Sequence, residues 1–154
     1  MEIEHIIQQW YTLASSGDVS RGDIFFRFVA AWVAFNALYT SRHSDDIGDW
    51  DQVRSFAGEL DAINRHRQLI DQDQSYQRAI QVLKEKGVGD LRRGYSRRIR
   101  NEYNFTEVAS CLYQVRCNLF HGGKLPGNPR DERLVAASCE IVSKLIAPFL
   151  PTDH

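Results

Sequence analysis

Cysteine is scarce in this chain: Cys111, Cys117 and Cys139 are the only three, and none stands at CxxC spacing. That excludes a disulfide framework and the usual thiolate metal site. Reduced, mostly buried thiols are expected. A nucleophilic Cys117 is the alternative, since it precedes His121 by one helical turn, but no third group on that helix would orient the pair. An excess of one charge is also lacking: 19 Lys and Arg face 20 Asp and Glu, for a formal net charge of −1. A protein that coats nucleic acid by bulk electrostatics is thereby excluded, and any such contact has to be local. No apolar run approaches the roughly 20 residues that cross a bilayer. The opening "MEIEHIIQQW" carries acid where a secretory leader carries positive charge, so a cytoplasmic protein without a membrane partner is expected. No segment alternates apolar and polar residues for long enough to build a sheet.

What is present is helical period. With 154 residues, 43% of them apolar and 25% charged, the composition suits one globular domain spanning 1–154. Ile3, Ile6, Ile7, Trp10 and Leu13 place one apolar stripe on a helix over 2–15. Ser20 can cap the next segment, "RGDIFFRFVAAWVAFNALYTSRH", which is apolar on nearly every side and so belongs at the centre of a bundle. After a loop at "SDDIGDW", the spacing of Trp50, Val53, Phe56, Ala57, Leu60 and Ile63 predicts a third helix reaching about Arg67. A fourth covers 74–86, with Tyr76, Ile80 and Leu83 on one face and the glycines of "KGVGD" closing it. Asn104 or Thr106 can cap a helix from about 105 to 121 that buries Val108, Leu112, Val115 and Leu119 and stops at Gly122 and Gly123. The last helix, 131–147, carries Leu134, Val135, Ser138, Ile141, Val142, Leu145 and Ile146 before Pro148. The fold class expected is an all-α up-and-down bundle of about five or six helices.

Two stretches carry chemistry. In "DLRRGYSRRIRNEY", Arg92, Arg93, Arg97, Arg98 and Arg100 interleave with Tyr95 and Tyr103. Guanidinium groups there can meet phosphates while the rings stack on the bases of a single strand. A solvated connection between helices is the alternative. In "YQVRCNLFHGGK", Arg116 lies at the margin of a buried stripe, where a charge needs a reason, and His121 falls in the last turn, where the helix dipole favours the imidazolium. Arginine offers a permanent fork for a phosphate and histidine a proton near neutral pH. Asn118, one turn before His121, sits beside it. RNA transesterification needs both a base and an acid, so one chain supplies half a site and a two-fold homodimer supplies the whole. A helix-terminal His beside an Arg can also be mere surface decoration. The acidic residues of "SDDIGDWD" read as a helix-capping loop rather than a cation site. No metal and no cofactor are expected.

The stretch "YQVRCNLFHGGK" resembles the Arg-x4-6-His signature of the HEPN superfamily (higher eukaryotes and prokaryotes nucleotide-binding), in its R-x-N-x-x-H-G form. "FVAAWVAFNALYT" is similar to the aromatic-then-Asn segment found early in that group, and the short helical architecture is similar as well. The resemblance implies a dimeric all-α bundle acting as a metal-independent endoribonuclease in toxin–antitoxin, phage-defence or RNA-processing systems, with an antitoxin or inhibitor protein as a further partner. It implies that Arg116 and His121 are catalytic, that Asn118 supports them, and that Asn36 stands behind the site or is simply a satisfied buried polar group. Lys124 and the arginine stretch would hold RNA. A non-catalytic nucleotide- or RNA-binding or protein-interaction module is the other function compatible with the same resemblance. Members paired with a nucleotidyltransferase antitoxin carry a tyrosine two residues beyond the histidine. Gly123 stands there in this chain, so adenylylation at that position is not implied.

Overall fold

Helices pack around one another with their apolar stripes inward, and the only sheet among the described residues is a ladder of two residues per strand. The computed structural model describes Tyr11 and residues 23–43, 46–90, 94–120 and 129–150. The order is α1 (Asp23–Arg42), α2 (Asp49–Ala57), α3 (Leu60–Gln72), α4 (Gln74–Lys86), β1 (Val88–Gly89), β2 (Ser96–Arg97), α5 (Phe105–Phe120), α6 (Pro129–Ile146) and a closing 3-10 turn, Ala147–Phe149. This is an all-α helical bundle. Apart from Tyr11, the helix expected over 2–15 lies outside the described residues.

The aromatic content of α1 explains its central place. Phe28, Trp32, Phe35 and Tyr39 follow helical spacing and are buried; edge-on ring pairs join Trp32 to Phe35, Phe35 to Tyr39 and Phe35 to Phe56 of α2. The 19 residues Ile24–Arg42, with a mean hydropathy of 1.3, are long and apolar enough to cross a membrane by length and composition, and half of that stretch is buried inside the fold. This corrects the expectation that no segment approaches such a length. Arg27, Asn36 and Thr40 interrupt the apolar run but do not cancel its mean.

Helix α6 lies against both α1 and α4. Pro129 starts it, Asp131 and Glu132 occupy its positive end, and Leu134, Val135, Ser138, Ile141, Val142, Leu145 and Ile146 are buried. Ser138 satisfies its hydroxyl on the Leu134 carbonyl at 2.7 Å. At the other end, Arg65 donates twice to the Lys144 carbonyl, at 3.1 and 2.8 Å. Lys144 itself pairs with Asp73, 2.6 Å away, and Asp73 accepts the Tyr76 amide at 2.9 Å as the N-cap of α4. That lysine holds the Asp73 carboxyl down to about 2.

The third expected helix is two. At Gly58 the chain breaks: its amide bonds back to Arg54 and Ser55 carbonyls, Glu59 turns extended, and α3 starts anew at Leu60. The apolar period runs through the break because Leu60 happens to fall in phase, but its side chain is 73% exposed and carries no packing. The short antiparallel ladder, Val88 opposite Arg97 and Gly89 opposite Ser96, was not expected either. Gly87, at φ +63°, ends α4 in a conformation that favours glycine and turns the chain into β1.

Of the sequence's cysteines, Cys111 and Cys139 are buried, Cys117 is half-buried, and all three are free thiols. Burial pushes the Cys111 thiol up to about 12.

Candidate active site

Asn104, rather than Thr106, caps α5: its side-chain oxygen accepts the Glu107 amide at 3.2 Å. Glu107 in turn accepts the amides of Arg100 and Asn101, both at 3.0 Å, and so ties the end of the arginine stretch to the first turn. From that anchor Val108, Leu112 and Val115 face the core, with Leu119 half-buried. Arg116 follows Val115 on the margin, with 29% of its side chain exposed.

The helix pairing brings α1 and α2 to Arg116. Asn36 and Tyr39, one turn apart on α1, meet Asp49 at the start of α2: the Asn36 amide donates to the Tyr39 hydroxyl at 2.7 Å, and that hydroxyl donates to Asp49 Oδ1 at 2.6 Å. The second carboxylate oxygen, Oδ2, lies 3.8 Å from Arg116 Nη2. Burial and then the Asp49 hydrogen bond push the Tyr39 hydroxyl up, so it stays protonated and keeps donating. Asn36 also donates to Asp49 Oδ1 directly, at 3.4 Å, so it is a half-buried polar group with its amide satisfied by both Tyr39 and Asp49.

Arg116 is held by rings more than by hydrogen bonds. Its guanidinium lies 5.7 Å from the Tyr113 ring centre and 4.9 Å from that of Phe120. Its contact with Cys117 Sγ is 3.9 Å long, and among the described residues its buried Nε has no hydrogen-bond partner. A fork of five donors is therefore almost unspent beside a single distant carboxylate. Left in that state it costs stability, and an oxyanion in the same place would recover the loss.

Asn118 does something else. Two residues from Arg116, it points to the buried side, where its amide donates to the Gly89 carbonyl at 2.7 Å and its oxygen accepts from Gln114 at 2.9 Å. Gln114 accepts the Arg97 Nε at 3.0 Å, and Arg97 Nη1 bonds Ser110 at 2.6 Å. The chain Arg97, Gln114, Asn118, Gly89 clips both strands of the ladder onto α5. Asn118 is thus a tie between α5 and the ladder, and Arg97 spends its fork inside the molecule. Arg98 and Arg100 are exposed. Tyr103 is exposed too, with its hydroxyl donating to Asp71 at 3.0 Å. Arg92, Arg93, His121 and Lys124 lie outside the described residues.

Sequence reasoning missed Tyr39 and Asp49. Asp49 stands in a loop string that reads as capping, and a contact across three helices leaves no mark in local spacing. Among the described residues, no group of three or more His, Cys, Asp or Glu could hold a metal ion.

Because Arg98 and Arg100 are exposed, replacing both by Ala should lower the slope of log affinity against log salt for single-stranded RNA by up to about 1.4, at about 0.7 for each phosphate no longer neutralised. An unchanged slope would make this region a solvated connection. Arg97 belongs outside that test, since its removal would free the ladder.

No protein-family model matches the chain, and neither a curated protein nor a solved structure is similar to it at a significant level.

Proposed function

We propose that the protein is a metal-independent endoribonuclease of the HEPN kind, which acts as a homodimer on single-stranded RNA in a defence, toxin–antitoxin or RNA-processing system. The observation that carries this reading is Arg116: a cation whose buried Nε has no partner among the described residues, set against ring faces and near Asp49, Tyr39 and Asn36, five positions before His121 in an R-x-N-x-x-H-G string. Its donors suit the non-bridging oxygens of a phosphate that gains charge during transesterification.

In that reaction one His121 takes the proton of the 2′-hydroxyl as its oxygen attacks phosphorus. The 5′-oxygen leaves with a proton from the His121 of the second copy, giving a 2′,3′-cyclic phosphate and a 5′-hydroxyl. Arg116 stabilises the pentavalent intermediate. Two copies meeting at this end of α5 supply both histidines, which is why the homodimer is part of the proposal.

Asp49 favours a second reading. A carboxylate 3.8 Å from the guanidinium opposes an incoming phosphate, as befits a non-catalytic binding or interaction module in which Arg116 only orders the helices. The discriminating experiment is incubation of the purified protein with mixed single-stranded RNA in EDTA, with analysis of the product ends, alongside sedimentation. Cyclic-phosphate ends from a dimer support the nuclease. Intact RNA supports the alternative, and cleavage only with added metal contradicts the metal-independent reading.

A further inference from the structure

Two arginines and four rings form a row of pairwise neighbours. Tyr95 lies 5.9 Å from the Arg97 guanidinium, which lies 5.6 Å from the Trp50 ring. Trp50 is 5.3 Å from Tyr113, Tyr113 is 5.7 Å from Arg116, and Arg116 is 4.9 Å from Phe120. These residues are scattered in the sequence over α2, the residue before β2, β2 itself and α5, yet each member neighbours the next. The interior of the row is committed: Trp50 and Tyr113 are half-buried, and Arg97 is bonded to Gln114 and Ser110. Its ends are open, with Tyr95 at 44% and Phe120 at 50% exposure.

A half-exposed ring at each end of a cationic row matches a ligand with flat apolar faces on an anionic backbone. Duplexes hide those faces, whereas unpaired nucleotides offer them. We infer that single-stranded RNA stacks one base on Tyr95 and another on Phe120, so that the row Arg97, Trp50, Tyr113, Arg116 fixes which stretch of the strand presents its phosphate to Arg116. The inference rests on the nuclease reading only for the identity of the ligand as RNA. It adds that the selected substrate is unpaired on both sides of the phosphate and is chosen by stacking rather than by base edges, which makes recognition tolerant of sequence.

The probe is a fluorescein-labelled RNA oligomer, 2′-O-methylated throughout so that it cannot be cleaved, carrying 2-aminopurine. Tyr95→Leu and Phe120→Leu keep apolar bulk and remove the ring. Each is expected to weaken binding about five- to a hundredfold and to relieve 2-aminopurine quenching, while the same sequence as a duplex competes poorly. Wild-type affinity and quenching in both variants would overturn the inference, as would equal competition by the duplex. Sedimentation on Phe120→Leu settles the rival use of that ring: a variant that falls to monomer, with RNA affinity per chain unchanged, makes it a contact between protein copies and also overturns the inference. Failure of the two readings is distinguishable, because cleavage of unmodified RNA by wild type tests the nuclease and binding of the methylated oligomer tests the stacking.

Discussion

Arg116→Ala is expected to slow RNA cleavage by roughly two to four orders of magnitude while leaving the fold almost untouched. The asymmetry follows from what the side chain does in the folded chain. Among the described residues it makes one ion pair at 3.8 Å, two ring contacts and a long contact to Cys117, none of which crosses the core, so its removal should cost no more than about 1 kcal/mol. Arg116→Lys keeps the charge without the planar fork, and should recover only part of the rate. Single-turnover kinetics beside thermal unfolding checks both statements. A variant that unfolds early, or one that cleaves at the wild-type rate, would remove Arg116 from the chemistry.

The largest effect on stability is expected at His66, which no functional role explains. It is fully buried on α3, stacked at 5.0 Å on Phe105, with Nδ1 2.5 Å from the Tyr76 hydroxyl and Nε2 2.6 Å from the Glu102 carbonyl. A carbonyl can only accept, so Nε2 carries the proton and Nδ1 accepts from Tyr76. One ring thereby joins α3, α4 and the segment that leads into α5. His66→Ala would open a cavity and orphan a buried hydroxyl and a carbonyl together, for a cost of about 3–5 kcal/mol. Chemical denaturation measures it, and a loss under about 1 kcal/mol would contradict this role.

The same residue sets a pH dependence. Burial depresses the His66 pKa, although the Glu102 carbonyl bond opposes that shift, so the folded state holds the ring neutral where the unfolded chain, near 6.5, takes up a proton. The unfolded state then binds more protons, and stability falls as pH drops below about 6.5, by at most about 1.4 kcal/mol per pH unit. His66→Ala should lack that component, and the difference between the two stability curves isolates it. Asp73 acts lower down: its stabilisation is present above the ordinary aspartate range and is lost as pH falls toward about 2.

The helices that were legible in the sequence are those whose ends carry chemical signals. Asp73 and Gly87 bracket α4 at Gln74–Lys86, and Asn104 opens α5. The break at Gly58 was not legible, because one glycine inside an unbroken apolar period reads as a tolerated residue and only the exposure of Leu60 reveals the phase as accidental. The ladder was hidden by its length: two residues per strand cannot show a period of two. At the candidate site, Arg116 stood out as a charge on a buried margin. Its neighbours did not, since Asp49 and Tyr39 join it only after α1, α2 and α5 have packed. The structural bonds of Asn118 and Arg97 were not legible either. In one dimension the two residues are far apart, and only the folded chain shows that both are bonded to Gln114.

The decisive measurement is cleavage of single-stranded RNA in EDTA by wild type and by His121→Ala, side by side at single turnover. Wild type is expected to leave 2′,3′-cyclic phosphate and 5′-hydroxyl ends without metal, and His121→Ala to be slower by roughly two to four orders of magnitude with its fold and dimer intact. Equal rates for the two proteins, or no cleavage of any RNA by either, would contradict the nuclease reading.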